Sequence, residues 1–199
     1  MRTGDNHELF ATVTRTGVGK FIQENPNQSY RLYIPLSYND INYVNRIFAH
    51  IARIKETKIV LVMNERELSD IVDEQNEGFL NTIHQFKTKG FEVALAIDNN
   101  ELPCKPIIYE SFDMFILSVK GHINHKNAST SMPSFQRLIE KLLHYNKVII
   151  ATDIPTWDIL ELVVKFGINI ISSEAISPKS ENVLPIAKKS LDKIMKIQL

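Results

Sequence analysis

"KVIIATDIPTWDILELVVKFGIN", residues 147–169, reads as one complete strand-and-helix unit. The run "KVIIAT" (147–152) is almost continuously apolar and then turns polar at Thr152-Asp153. A strand with no hydrophobic alternation is one buried on both faces, as in parallel sheets. Pro155 stands where a first-turn proline opens a helix, and Gly167 where a glycine closes one. In parallel α/β proteins ligands meet the carboxyl ends of strands, so Thr152-Asp153 is a place to look for chemistry.

The same grammar recurs on both sides of this unit. "YRLYIPL" (30–36), "KIVLVMN" (58–64), "FEVALAI" (91–97), "DMFILSV" (113–119) and "INIIS" (168–172) are predicted strands, with "LFATV" (9–13) a weaker one. Helical patterns separate them. "NDINYVNRIFAHIARI" (39–54) puts Ile41, Val44, Ile47, Phe48 and Ile51 on one face, with Asn39 or Asp40 placed to cap it. Residues 65–89 read as helix despite Gly78, with Gly90 as the stop. "PSFQRLIEKLLHYN" (133–146) opens on Pro133, and "LPIAKKSLDKIMKIQ" (184–198) is a last amphipathic helix. Strands alternating with helices predict a parallel α/β fold, and no linker divides the chain. A single domain over 1–199 is expected, with 1–29 a divergent N-terminal segment. A full (β/α)8 barrel takes ~250 residues. The 199 residues here fit a barrel missing about one unit, or a smaller open sheet.

Composition narrows the function classes. Lysine plus arginine and aspartate plus glutamate number 23 each, so no net field draws in nucleic acid or an anionic membrane. No segment approaches the roughly 20 apolar residues of a membrane span, and "MRTGDNHELF" does not resemble a signal peptide. One cysteine, Cys104, excludes an internal disulfide framework and fits a cytoplasmic location.

The predicted strand ends are Ser37, Asn64-Glu65, Asp98-Asn99, Ser118, Thr152-Asp153 and Ser172-Ser173-Glu174. Each is polar, as a strand leaving the core to cap a helix would be in any case. Other motifs are weaker. "RTGVGKF" (15–21) lacks the P-loop spacing and puts Phe21 at the hydroxyl position, so it reads as a turn. "GHINH" sets His122 and His125 three apart in a polar loop, short of the ligands a metal needs. His84 and His144 are lone residues in helical patterns, and Cys104 between Pro103 and Lys105 reads as a passive loop thiol. Trp157, in the first turn after Asp153, is either packed against the rim or an anchor for a partner.

Taken in order, the strand ends resemble the EAL family, barrel domains that bind and hydrolyse the bacterial second messenger cyclic di-GMP. "IPLS" (34–37) is similar to the family's "vNLS", and "VMNE" (62–65) to its "ElTE". "GFEVALAIDNN" (90–100) is similar to "G…iAlDDFG", and "FDMFILS" (112–118) to "fDylKID". "IIATDIPTWDILELVVKFGINIISSEA" (149–175) resembles "viAEGVET…L…lGid…QGy". The likeness covers roughly residues 30–185 and implies a TIM-like (β/α) barrel, modified at its N-terminus.

What the resemblance implies for chemistry is two-metal phosphodiester hydrolysis, with cations caged by carboxylates and an asparagine. Carried over by position, that cage is missing. The asparagine falls on Pro35, the first glutamate of "ElTE" on Val62, and the lysine and aspartate of "KID" on Ile116 and Ser118. The metal-binding glutamate of "AEGVE" falls on Thr152, its second glutamate on Pro155, the "QGy" glutamine on Ser172, and the paired aspartates on Ala96 and Ile97. Asp98-Asn99 stands two residues on, a displacement of ~6–7 Å along a strand, which metal–oxygen bonds of about 2.0–2.6 Å do not absorb. Glu65 is retained. The resemblance makes it a glutamate that steadies a neighbouring loop; read alone, it is a first-turn helix acid facing the dipole.

The expectation is therefore a catalytically inactive EAL-like regulatory domain working through a protein partner in bacterial signalling, with no cofactor and no metal. Candidate ligand-binding residues are Glu65, Asp98, Asn99, Thr152, Asp153 and Glu174. Arginines are sparse at the strand ends, which argues against cyclic di-GMP binding without hydrolysis; that receptor remains the alternative. A third reading is an enzyme of unrelated chemistry, requiring Asp98, Asp153 and Glu174 to converge. With no recognisable first family strand in residues 1–29, an open sheet edge predicts self-association as a homodimer.

Overall fold

Among the described residues of the computed structural model six strands form a sheet, in the chain order β1-β2-β3-β4-β5-β6. They are β1 (Arg31–Pro35), β2 (Lys58–Asn64), β3 (Glu92–Ile97), β4 (Met114–Ser118), β5 (Val148–Thr152) and β6 (Ile170–Ile171). The described residues are 12, 16–21, 23, 31–44, 58–69, 76–123, 128–168, 170–173, 176 and 188–197. The weak strand at 9–13, most of the helix read at 39–54, and the start of the one at 184–198 lie outside them. The chain gathers into two compact units, Met1–Leu95 with Cys104–Asp113, and Ala96–Pro103 with Met114–Leu199.

In the first unit β1 and β2 pair in parallel, from Arg31↔Lys58 to Pro35↔Val62. Ile59, Val60, Leu61 and Met63 are buried, the two-faced burial that the apolar run of β2 predicts. Asn64 starts α1 (Glu65–Ser69) by accepting the Arg66 N–H on its Oδ1 at 2.8 Å. Helix α2 (Asn76–Thr88) buries Phe79, Ile83 and Phe86, spaced i, i+4 and i+7. It ends in a Schellman motif: Phe91 N–H returns to the Phe86 carbonyl and Gly90 N–H to that of Lys87, with Gly90 at φ +90°. The unit's last helix is α3 (Pro106–Ser111).

In the second unit β4, β5 and β6 pair in parallel, with Ser118↔Thr152 and Ala151↔Ile171 in register. Its helices are α4 (Val119–His122), α5 (Ala128–Leu143), α6 (Trp157–Lys165) and α7 (Lys188–Ile197). Phe135, Leu138, Ile139 and Leu142 line the buried stripe of α5. Each fully buried side chain of this size contributes roughly 1.5–3 kcal/mol. Gly167, also at φ +90°, closes α6 with the same pair of return bonds, from Ile168 to Val163 and from Gly167 to Val164.

Several helix starts differ from their sequence reading. The segment after β1 is a 3-10 helix, Tyr38–Tyr43, whose N-cap is Ser37 rather than Asn39 or Asp40. Asp40 instead accepts from the Ser37 hydroxyl at 2.9 Å. Helix α5 begins at Ala128, so Pro133 lies inside it rather than at its start. One missing N–H is tolerated there by a helix held through its buried stripe. Pro155 precedes α6 instead of opening it, because the hydroxyl of Thr156 caps the helix, accepting the Ile159 N–H at 3.4 Å. Residues 16–21 are helical, not a turn.

Candidate functional site

Near their C-terminal ends the strands open on one face. In β2, Val62 and Asn64 are half-buried between fully buried Leu61, Met63 and Glu65. In β4, Ile116 and Ser118 alternate in the same way with Phe115, Leu117 and Val119. Ala96 and Asp98 flank buried Ile97 at the end of β3, and Thr152 is half-buried at the end of β5. Period-two alternation puts these residues on a single face of each strand. Val62, Ala96, Ile116, Ser118 and Thr152 are positions onto which the sequence resemblance carries metal-site residues.

Within each unit the register gives some of these positions a neighbour. Pro35 pairs with Val62 in the first unit, and Ser118 with Thr152 in the second. Neither pair offers a carboxylate. The Ser118 hydroxyl donates to Asp153 Oδ2 at 2.9 Å, and Thr152 Oγ1 lies 3.3 Å from both that oxygen and the Leu117 carbonyl. Its single proton serves one of them at a time. Asp153 itself is exposed and takes φ +52°, a left-handed conformation that aspartate tolerates better than most side chains. Two divalent ions bring four positive charges and want oxygen ligands at about 2.0–2.6 Å. In the first unit the Pro35–Val62 pair has no side-chain oxygen to offer such an ion, and in the second the two hydroxyls and one exposed carboxylate of Ser118, Thr152 and Asp153 fall short of the ligands it needs. Among the described residues no group of three or more His, Cys, Asp or Glu side chains gathers to hold a metal.

Glu65 has a different role. It is fully buried at the start of α1, and its Oε1 accepts from the Tyr109 hydroxyl at 2.7 Å. That hydroxyl also accepts the Cys104 N–H at 3.0 Å, so Glu65 reaches the segment before α3 through Tyr109. Burial, and then the carboxylate that holds its proton, raise the Tyr109 pKa far above the usual tyrosine value. Tyr109 was not singled out from sequence, since nothing local marks a tyrosine 44 residues from its partner.

Asp98 and Asn99 follow β3 and are half-buried. In the strand order β4 stands between β3 and β5, so the ends carrying Asp98 and Asp153 are separated by two strand spacings, roughly 9–10 Å. Glu174 lies outside the described residues. His122 departs from the polar loop that "GHINH" suggested: it ends the single turn α4 and is 5% exposed. Its Nε2 lies 2.9 Å from the Ile97 carbonyl oxygen and its Nδ1 2.8 Å from Asn100 Oδ1. A short turn after β4 folds the ring inward, so both nitrogens serve the protein's own backbone and side chains. His125 is outside the described residues.

A further concavity of about 500 Å³ lies on the second unit, lined by Trp157, Asp158, Glu161 and Lys165 of α6 and by Lys196 and Ile197 of α7. Trp157 is half-buried on its wall. No helix among the described residues is long and apolar enough to cross a membrane.

No protein-family model matches the chain, and no curated protein sequence matches it. Solved structures do. The Bacillus subtilis YkuI protein, which has an EAL domain and was solved with cyclic di-GMP and calcium, superposes with a TM-score of 0.72 at 11% identity. The match covers 100% of this chain and 49% of that one, so this chain spans about half the length of YkuI. The PaMucR phosphodiesterase in complex with cyclic di-GMP gives 0.69 at 12% identity, over 95% of this chain and 81% of that one. The FimX EAL domain gives 0.65 at 11%, over 92% and 76%. At such identities the likeness shows the fold: an α/β chain of the TIM-like barrel type found in EAL domains.

Proposed function

We propose that this chain is an EAL-like regulatory domain without metal-dependent phosphodiesterase activity, acting by protein–protein interaction in bacterial cyclic di-GMP signalling. The observation that carries the reading is the register. Pro35 beside Val62, and Ser118 beside Thr152, occupy neighbouring strand ends where the resemblance calls for metal ligands. The fold is kept while the ligands that would make it an enzyme are replaced by aliphatic and hydroxyl groups. Fold alone does not carry activity, so the site decides. The concavity at Trp157, with charges of both signs around an aromatic wall, supports a protein partner; a cytoplasmic location and a homodimer are part of this reading.

The alternative is a receptor that binds cyclic di-GMP without hydrolysing it. It has one specific support: two of the similar structures, YkuI and PaMucR, were solved with that ligand. An unrelated reaction at Asp98, Asp153 and Glu174 is the third reading. Calorimetric titration of cyclic di-GMP into the purified chain, with and without Mg2+ or Mn2+, separates the first two. No heat, together with no hydrolysis product, is expected. Micromolar binding without hydrolysis makes the protein a receptor, and hydrolysis overturns the proposal. Light scattering at micromolar concentration tests the homodimer, and a strictly monomeric mass removes that part.

A further inference from the structure

The exposed charges of α6 are ordered along one stripe. Asp158, Glu161 and Lys165 stand at i, i+3 and i+7, all exposed, with the acids toward the start of the helix and the lysine at its end. Lys196 of α7 brings a second cation to the concavity that these three line. Among the described residues none of the four forms an ion pair, although Glu161 and Lys165 have the i, i+4 spacing for one. Trp157 and Ile197, both half-buried, complete the lining. An aromatic and an aliphatic side chain within a charged, solvent-facing rim is the composition of a protein interface. An enclosed small-molecule site would instead bury its few polar groups around the ligand.

We propose that this face binds a second copy of the chain about a two-fold axis, with the two α6 helices antiparallel. The inference rests on the homodimer of the proposed function and gives it a surface. Charge identifies the occupant. Two acids and two lysines leave the face neutral, so identical copies do not repel as they would across a face of one sign. A two-fold axis sets a patch against itself, so the patch must complement its own reversed order. The stripe on α6 does. With the axis level with Val163, Glu161 of each copy meets Lys165 of the other. Parallel helices would set Glu161 on Glu161 and Lys165 on Lys165, so the charge order selects the antiparallel pairing. Helix α6 has nine residues, or about 13 Å of length, which puts the contact at the small end of stable interfaces. A Kd on the order of 1–10 μM is expected.

The test is sedimentation equilibrium on the intact chain. Glu161→Lys turns both attractions into contacts between cations, and Lys165→Glu turns both into contacts between acids. Each variant alone should weaken the dimer by at least about tenfold. An equimolar mixture of the two restores opposite charges at both contacts and should form a heterodimer at least as tight as the wild type. Pairing within one helix cannot produce that recovery, and the recovery also shows that both variants fold. Raising salt from about 0.1 M to about 0.5 M should weaken the wild-type dimer severalfold.

A wild-type dimer whose Kd neither variant changes overturns this interface and leaves the homodimer on another surface. A mixture that stays monomeric overturns the antiparallel pairing. The salt dependence is read on the wild type alone, so a dimer indifferent to salt overturns the proposal even where a variant fails to fold. A wild-type chain that is monomeric throughout removes the homodimer as well, and leaves the concavity to a different protein.

Discussion

The two ends of the strands in this molecule are built from different chemistry. At the N-terminal ends charge is paired: Glu92, opening β3, meets Arg31 of β1 at 2.9 Å and Lys58 of β2 at 3.0 Å. Asp113, just before β4, takes Lys87 at 2.6 Å and the Val93 N–H at 2.9 Å. At the C-terminal ends the register neighbours are Pro35 with Val62 and Ser118 with Thr152. In barrel enzymes the C-terminal face carries catalysis and the N-terminal face stability. Here the N-terminal ends hold paired carboxylates, and the register pairs of the C-terminal ends have none. The same strands thus carry paired charge at one end and aliphatic or hydroxyl register pairs at the other.

Glu65 is the exception that can break this contrast, because it lies just past the C-terminal end of β2 and is fully buried. Tyr109→Phe removes the hydroxyl that donates to Glu65 and accepts from Cys104. The expected loss is about 2–3 kcal/mol, since a buried carboxylate forfeits a short charge-assisted bond. Denaturant melts of the variant check it. A loss under about 0.5 kcal/mol would show that this end holds no stability at all. Asp113→Ala is next, at about 1–2 kcal/mol, because the lost Val93 N–H bond and Lys87 pair are only partly buried. Glu92→Gln follows with under about 1 kcal/mol, because its partners Arg31 and Lys58 are exposed, and its effect should shrink in 0.5 M salt. A Glu92→Gln effect as large as that of Tyr109→Phe would make the N-terminal end the dominant one.

The strands were legible in the sequence because parallel strands buried on both faces write themselves as unbroken apolar runs, and "KVIIAT" and "KIVLVMN" are such runs. The stops at Gly90 and Gly167 were legible too, because a left-handed C′ position excludes nearly everything else. Helix starts were not. Two residue types compete there: at α6 the Thr156 hydroxyl won over Pro155, and at α5 the buried stripe carried the helix back past Pro133. At the site, the polar strand ends could be read one at a time, while their partners could not. Ser118 and Asp153 are 35 residues apart, Glu65 and Tyr109 44, and His122 lies 25 from the carbonyl it faces. Strand register brings Ser118 to Asp153, and the packing of helices after the strands brings the other pairs together; no local spacing encodes either.

The smallest expected effect is at Asp153, and it tests whether that strand end retains any structural demand. The residue combines φ +52° with hydrogen bonds from hydroxyls on a largely exposed surface. Asp153→Gly relieves the left-handed conformation but frees the unfolded chain, two terms of about 0.5–1 kcal/mol with opposite signs. The exposed bonds from Ser118 and Thr152 add a few tenths more, so the net change should stay within about 1 kcal/mol. Asp153→Ala keeps the conformational strain and loses the side chain that eases it, and should be the less stable of the two by roughly 1 kcal/mol. Paired thermal melts give the order directly. If alanine equals glycine, the left-handed turn is not imposed by the strand end. If both variants lose more than about 2 kcal/mol, the Ser118–Asp153 contact is a structural bond that holds the C-terminal end of β5 in place.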